Sequence, residues 1–186
     1  MDHTMKAVQF QTTGEPSAVL QTLDTNRPVP RSGEVLVRML ATPINPSDLM
    51  FIRGRYTVPA QCPTTPGFEG VGVVEATGGG LRGRLFMKRR VVVLNRRGGN
   101  WAEYAVVPAT EVIPISKSLS LEQAATFFVN PATAWVMTRE VLKVPQGQWP
   151  LHKGPLQGQP CCDACESAKK RWLPAHRVAR LRPVGA

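Results

Sequence analysis

The pattern of apolar and polar positions changes character twice along this chain, dividing it into three stretches. The first has the short alternation of β-structure. Residues 5–10 (MKAVQF) read as an opening strand. Residues 34–41 (EVLVRMLA) put Val35, Val37 and Met39 on one face, as a largely buried strand does. Residues 69–77 (EGVGVVEAT), 91–94, 101–107 (WAEYAVV) and 112–115 continue the series. Turn formers at Glu15-Pro16-Ser17, at residues 63–67 and at Gly78-Gly79-Gly80 separate them. Residues 78–83 read as a connecting loop and not a phosphate loop, because the pattern predicts no helix after them. One short helix interrupts the strands. Asn45 is a good N-cap, Pro46 suits the first turn, Asp48 supports the helix start, and Gly54 ends it, with Tyr56 just past the stop. Short strands at this spacing predict a sandwich or barrel.

The second stretch is helical. Ser120 is a candidate N-cap, followed by Glu122 and Gln123 in the first turn. Ala124, Ala125, Phe127 and Phe128 then recur at helical spacing. Asn130-Pro131 reads as a break, residues 132–144 as a second helical run, and Pro145-Gln146-Gly147 as its end. The third stretch, residues 149–186, shows no strand and no sustained helical period. It is enriched in Pro, Arg, Trp and Cys, the composition of GC-rich DNA translated in a wrong frame or of an alternative terminal exon.

Charge sharpens that division. The 186 residues carry a net charge of +10, and residues 151–186 alone hold seven Lys/Arg against two acids. Half of the excess therefore sits in under a fifth of the chain, as on a tail of separate origin. Of four cysteines, Cys62 alone lies in the first 150 residues, so a reducing compartment is expected there. No run of 18 apolar residues occurs, and Met1-Asp2-His3-Thr4 does not open a secretory signal, so the reading is cytoplasmic with no membrane partner. Cys162-x-x-Cys165, with Cys161, His152 and His176 nearby, lacks the second spaced pair of a zinc site. Lys169-Lys170-Arg171 beside Trp172 comes with no nucleic-acid-binding motif, so no nucleic acid is expected.

Five segments taken in order carry a resemblance: MKAVQF, GEVLVRMLATPINPSDLMFIRGRY, PGFEGVGVV, WAEYAVVPA and LSLEQAATFFVNPATAWVM. Over residues 5–148 their order and spacing resemble the medium-chain dehydrogenase/reductase superfamily. Within it, zinc alcohol dehydrogenases have a Cys where this chain has Asn45, and a His where it has Phe68 in Gly67-Phe68-Glu69. An amide and a phenyl ring do not ligate zinc, so the resemblance is to the zinc-free branch and no metal is expected. That branch includes quinone oxidoreductases and mitochondrial-type 2-enoyl thioester reductases. INPSD followed by RGRY looks more like the latter.

The resemblance implies a mainly β fold with some α. Residues 1–118 would form a GroES-like barrel catalytic domain, and residues 119–148 helices leading toward a Rossmann nucleotide-binding domain that is missing. Residues 149–186 would be an aberrant or disordered basic tail. It implies NADPH as cofactor, with Asn130 and Thr133 at its nicotinamide end, and Tyr56 as proton donor to the enolate of an acyl thioester. Relatives are usually homodimeric. The segment that should hold the pyrophosphate does not follow Pro145-Gln146-Gly147, so the chain as written is expected to bind NADPH weakly or not at all and to lack turnover. A quinone is the alternative substrate. A non-enzymatic partner of full-length subunits is the alternative of a different class.

Overall fold

A computed structural model describes residues 4–56 and 61–143, and the backbone of 178–180. β1 (Thr4–Gln9) pairs antiparallel with β2 (Gln21–Asn26), and α1 (Pro16–Val19) lies in the connection. The larger sheet is built on β3 (Glu34–Pro43). Along its flanks run β4 (Glu69–Thr77), β5 (Arg90–Leu94), β6 (Tyr104–Pro108) and β7 (Val112–Pro114), in the order β6-β3-β4-β5-β7, every pair antiparallel. α2 (Pro46–Ile52) links β3 to β4, and α3 (Leu81–Phe86) links β4 to β5. After β7 come α4 (Leu121–Ala125) and α5 (Val129–Trp135), the latter running into a π-helical turn at Val136–Val141. β8 (Val178–Arg180) pairs with β3 beyond the end of β6, at Ala41–Pro43.

Alternation explains the core. Val35, Val37 and Met39 of β3 meet Val74 of β4, Val91 and Val93 of β5, Ala105 and Val107 of β6, and Val112 of β7 in one buried cluster. Ala41 and Val71 pack instead against Ala124 and Ala125, the buried side of α4. Ser120 caps that helix: its Oγ accepts the Gln123 N–H at 3.1 Å, and Gln123 Oε1 accepts the Ser120 N–H at 3.1 Å. A third cluster, Phe10, Phe51, Ile52 and Trp101, joins β1 and α2 to the approach to β6.

The sheet is open: its end strands β6 and β7 pair with β3 and β5 alone, so the described residues form no closed barrel. Three expectations need correction. A helix, α3, does follow Gly78-Gly79-Gly80; its six residues bury only Gly83 and Phe86, too little to write a helical period. Asn130 and Pro131 do not break a helix but lie in the first turn of α5, where proline's missing N–H costs no hydrogen bond. The stretch after 149, read as strandless, contributes β8. The Cys161, Cys162, Cys165, His152 and His176 group and the Lys169-Lys170-Arg171 cluster lie outside the described residues.

Candidate active site

The ends of β3 and β4 converge on the start of α2. Asn45 takes an extended conformation, φ −88° and ψ 154°, and Pro46 follows at the first helical position. Asp48 Oδ2 accepts the Asn45 backbone N–H at 2.7 Å, so the side chain reaches back to the cap. Its other oxygen accepts the Phe68 N–H at 3.2 Å. One carboxylate thus ties the helix start to the entry of β4.

Glu69 is the second buried carboxylate, 1% exposed. Its Oε1 accepts two backbone N–H groups, from Phe128 at 2.6 Å and Val129 at 3.0 Å. Its Oε2 receives the Asn45 side-chain amide at 3.5 Å, a long and weak bond. Thr42 Oγ1 donates to the Glu69 backbone carbonyl at 2.7 Å, fixing the strand end.

Burial pushes the Asp48 carboxyl up to about 6, against the two N–H bonds that pull it down. Burial pushes Glu69 up as well, opposed by the N–H groups of Val129 and Phe128 and by Asn45, with the Asp48 charge adding a smaller push.

An aromatic ladder leads outward from this frame. The rings of Phe10 and Phe51 meet edge to face at 5.6 Å between centroids, Phe51 and Phe68 at 5.2 Å, and Phe68 and Tyr56 at 6.0 Å. Tyr56, just past α2, stands 63% exposed at the end of the ladder. Phe68 therefore carries the tyrosine on its ring and hangs on Asp48 by its N–H.

Of the residues singled out in the sequence, Tyr56 and the Asn130–Thr133 pair sit at two ends of one continuous frame. The Phe68-Glu69 dipeptide connects them: Phe68 touches Tyr56, and Glu69 binds the residue before Asn130. Asn130 is half-buried, and the exposed Thr133 donates from Oγ1 to the Val129 carbonyl at 2.7 Å, one turn back. Sequence reasoning missed Glu69, although an acid at the head of a Val- and Gly-rich strand was the available signal. Among the described residues no three His, Cys, Asp or Glu side chains converge as a metal ion requires. An open hollow of about 430 Å³, lined by Leu40, Val73, Lys88, Arg90, Lys117 and Leu121, shares no residue with this frame.

Because Asp48 binds its proton more tightly folded than unfolded, the acid form favours the native state. Its contribution is greatest below the ordinary value of 3.8 and falls as pH rises toward 6. Two pH units correspond to about 3 kcal/mol. Urea titrations at pH 4 and pH 7 should show the wild type losing about that much relative to Asp48→Asn. Glu15, which Arg53 holds below the usual carboxylate range, is common to both proteins and cancels, and Glu69 loses in the variant only the smaller push of the Asp48 charge. An equal pH slope in the two proteins would remove Asp48 as the source.

Against known proteins, the family of alcohol dehydrogenase GroES-like domains matches residues 31–117. A mitochondrial enoyl-[acyl-carrier-protein] reductase of Caenorhabditis elegans is 34% identical over 154 residues, covering 82% of this chain and 44% of the relative. A quinone oxidoreductase of Pseudomonas syringae superposes with TM-score 0.76 at 31% identity, over 89% of this chain and 50% of its own. A quinone oxidoreductase of Escherichia coli, complexed with NADPH, superposes with TM-score 0.75 at 26% identity, over 88% and 49%. The chain spans half or less of the length of each. No helix among the described residues is long and apolar enough to cross a membrane.

Proposed function

Residues 31–117 belong to the alcohol dehydrogenase GroES-like domain family, and on that premise we propose that the chain is the catalytic-domain portion of a zinc-free, NADPH-dependent reductase of 2-enoyl thioesters. The observation that carries this reading is the single frame that has Tyr56 at one end and Asn130 at the other. The likeness to the nematode enoyl reductase supports the substrate class. On this reading residues 1–118 are the catalytic domain and residues 119–148 lead toward the nucleotide-binding half.

Zinc does not fit this frame. Asn45 offers an amide already turned to Glu69, and Phe68 offers a ring already packed on Phe51 and Tyr56. Among the described residues, Asn130 and Thr133, one turn apart on α5, would hold the nicotinamide end of NADPH. NADPH held there would supply a hydride to the β-carbon of the enoyl thioester. The electron pair of the double bond then moves toward the thioester carbonyl. Tyr56 O–H stabilises the resulting enolate by a hydrogen bond and delivers its proton to the α-carbon. Its exposure lets water return that proton. Asn130 and Thr133 orient the donor face, and the Phe68 ring limits the rotation of Tyr56.

Quinone reduction is the second reading, favoured by the two quinone oxidoreductase structures. A chimera joining residues 1–143 to the nucleotide-binding half of the nematode enoyl reductase decides between them. NADPH oxidation with a crotonyl thioester supports the proposal, whereas oxidation with a quinone alone moves it to the second reading. The 186-residue chain assayed alongside tests whether it lacks turnover by itself. The cysteine usage favours a reducing compartment, which we read as the cytoplasm; the nematode relative's name makes the mitochondrion the alternative, and cell fractionation separates them.

A further inference from the structure

We propose that Glu69 is a positioning residue: its buried carboxylate sets the start of α5 and so aims Asn130 and Thr133. The inference rests on the reading of those two residues as the cofactor edge.

α4 and α5 are held in different ways. α4 buries Ala124 and Ala125 against Ala41 and Val71. α5 buries only Ala134, while Trp135 beside it is 62% exposed. Apolar packing within the described residues therefore does little to fix the direction of α5. Its first turn is also short of internal hydrogen bonds, as every helix start is. Pro131 has no N–H, and the Ala132 N–H is the first of the turn to bond back, to the Phe128 carbonyl at 2.9 Å. The Phe128 and Val129 N–H groups would be left over, and both go to Glu69 Oε1.

The anchor is rigid at its own end. Glu69 begins β4, paired with Leu94 of β5, and Thr42 holds its carbonyl. Its second oxygen faces the Asn45 amide at the cap of α2. The next residue after Val129 is Asn130, and Thr133 closes the same turn onto the Val129 carbonyl. Releasing the two N–H groups frays the turn that carries both candidate contacts. Neither the Tyr56 ring nor the β-sheet core depends on these two bonds.

The test uses the 186-residue chain as Glu69→Leu and Glu69→Gln, with amide hydrogen exchange read residue by residue. In Glu69→Leu, exchange at Phe128 and Val129 should accelerate at least about tenfold, with Val71 and Val92 unchanged. Glu69→Gln keeps a neutral acceptor oxygen and should show a smaller acceleration, about threefold; it carries the test if the Leu variant does not fold. Exchange at 128 and 129 equal to wild type, or acceleration spread evenly over β4 and β5, would overturn the latch. Reduced nicotinamide mononucleotide, titrated into the same samples, reads the positioning. The Asn130 side-chain amide resonances should shift in the wild type and in Glu69→Gln, and not in Glu69→Leu. Shifts in all three overturn the positioning role. No shift in the wild type overturns the cofactor reading of Asn130 and the positioning role with it, while the exchange result still reports on the latch.

Discussion

Replacing Tyr56 with Phe in the reductase chimera should lower kcat for a crotonyl thioester by about 10²–10⁴-fold, the usual worth of a positioned general acid. KM for the thioester should change little, because the phenyl ring keeps the edge contact with Phe68 and only the hydroxyl is lost. The hydroxyl acts where negative charge appears, on an oxygen and an α-carbon that are neutral in the bound substrate. Its loss therefore falls on the transition state and not on binding. With a quinone as acceptor the same variant should stay within about threefold of the parent, since protons reach quinone oxygens readily from water. A drop of less than tenfold with the thioester would assign the proton to water and remove Tyr56 from the chemistry.

Gly67→Ala should destabilise the fold by about 3–4 kcal/mol, through two independent costs. The residue has φ +99°, a left-handed conformation that strains any side chain. An added Cβ would also stand against the Trp101 indole and 3.0 Å from the Trp101 backbone nitrogen. Trp101 has no room to yield. It is 7% exposed, its N–H donates to the Pro66 carbonyl at 3.0 Å, and its indole N–H to the Pro43 carbonyl at 3.3 Å. The damage would reach the site directly, because Phe68 and Glu69 follow. Urea unfolding at constant pH measures it. A cost below about 1 kcal/mol would show that the loop relaxes around the methyl group.

The strands that the sequence announces are those with apolar, largely buried runs. β4 has the bounds the alternation predicts, and β3, β5 and β7 differ by a few residues at their ends. β2 was not legible because its residues, QTLDTN, are mostly exposed and are ordered by pairing with β1. α3 was not legible because a six-residue helix with a glycine inside it has no amphipathic stripe. The Asn130-Pro131 reading went wrong over position in the helix: proline obstructs an interior turn and is harmless in the first.

The site divides in the same way. Asn45, Pro46 and Asp48 follow local capping rules, so their arrangement could be read directly from neighbouring residues. Tyr56, Asn130 and Thr133 stood out through the family pattern, and no local rule singles out a tyrosine after a helix stop. Glu69 could be seen as an oddity in an apolar strand, but its partners lie 59 and 60 residues on. Sequence periodicity does not reach that far. Only the fold brings β4 and α5 together.

That separation has a kinetic side. The Glu69 bonds join positions 59 and 60 residues apart, and the loop-closure cost of such a span places them among the late contacts of folding. Interactions absent from the transition state leave the folding rate alone and act on escape from the native basin. The carboxylate that joins the two ends of the site is thus also a brake on unfolding. Its removal should steepen the decay of the native chain with no delay in its formation.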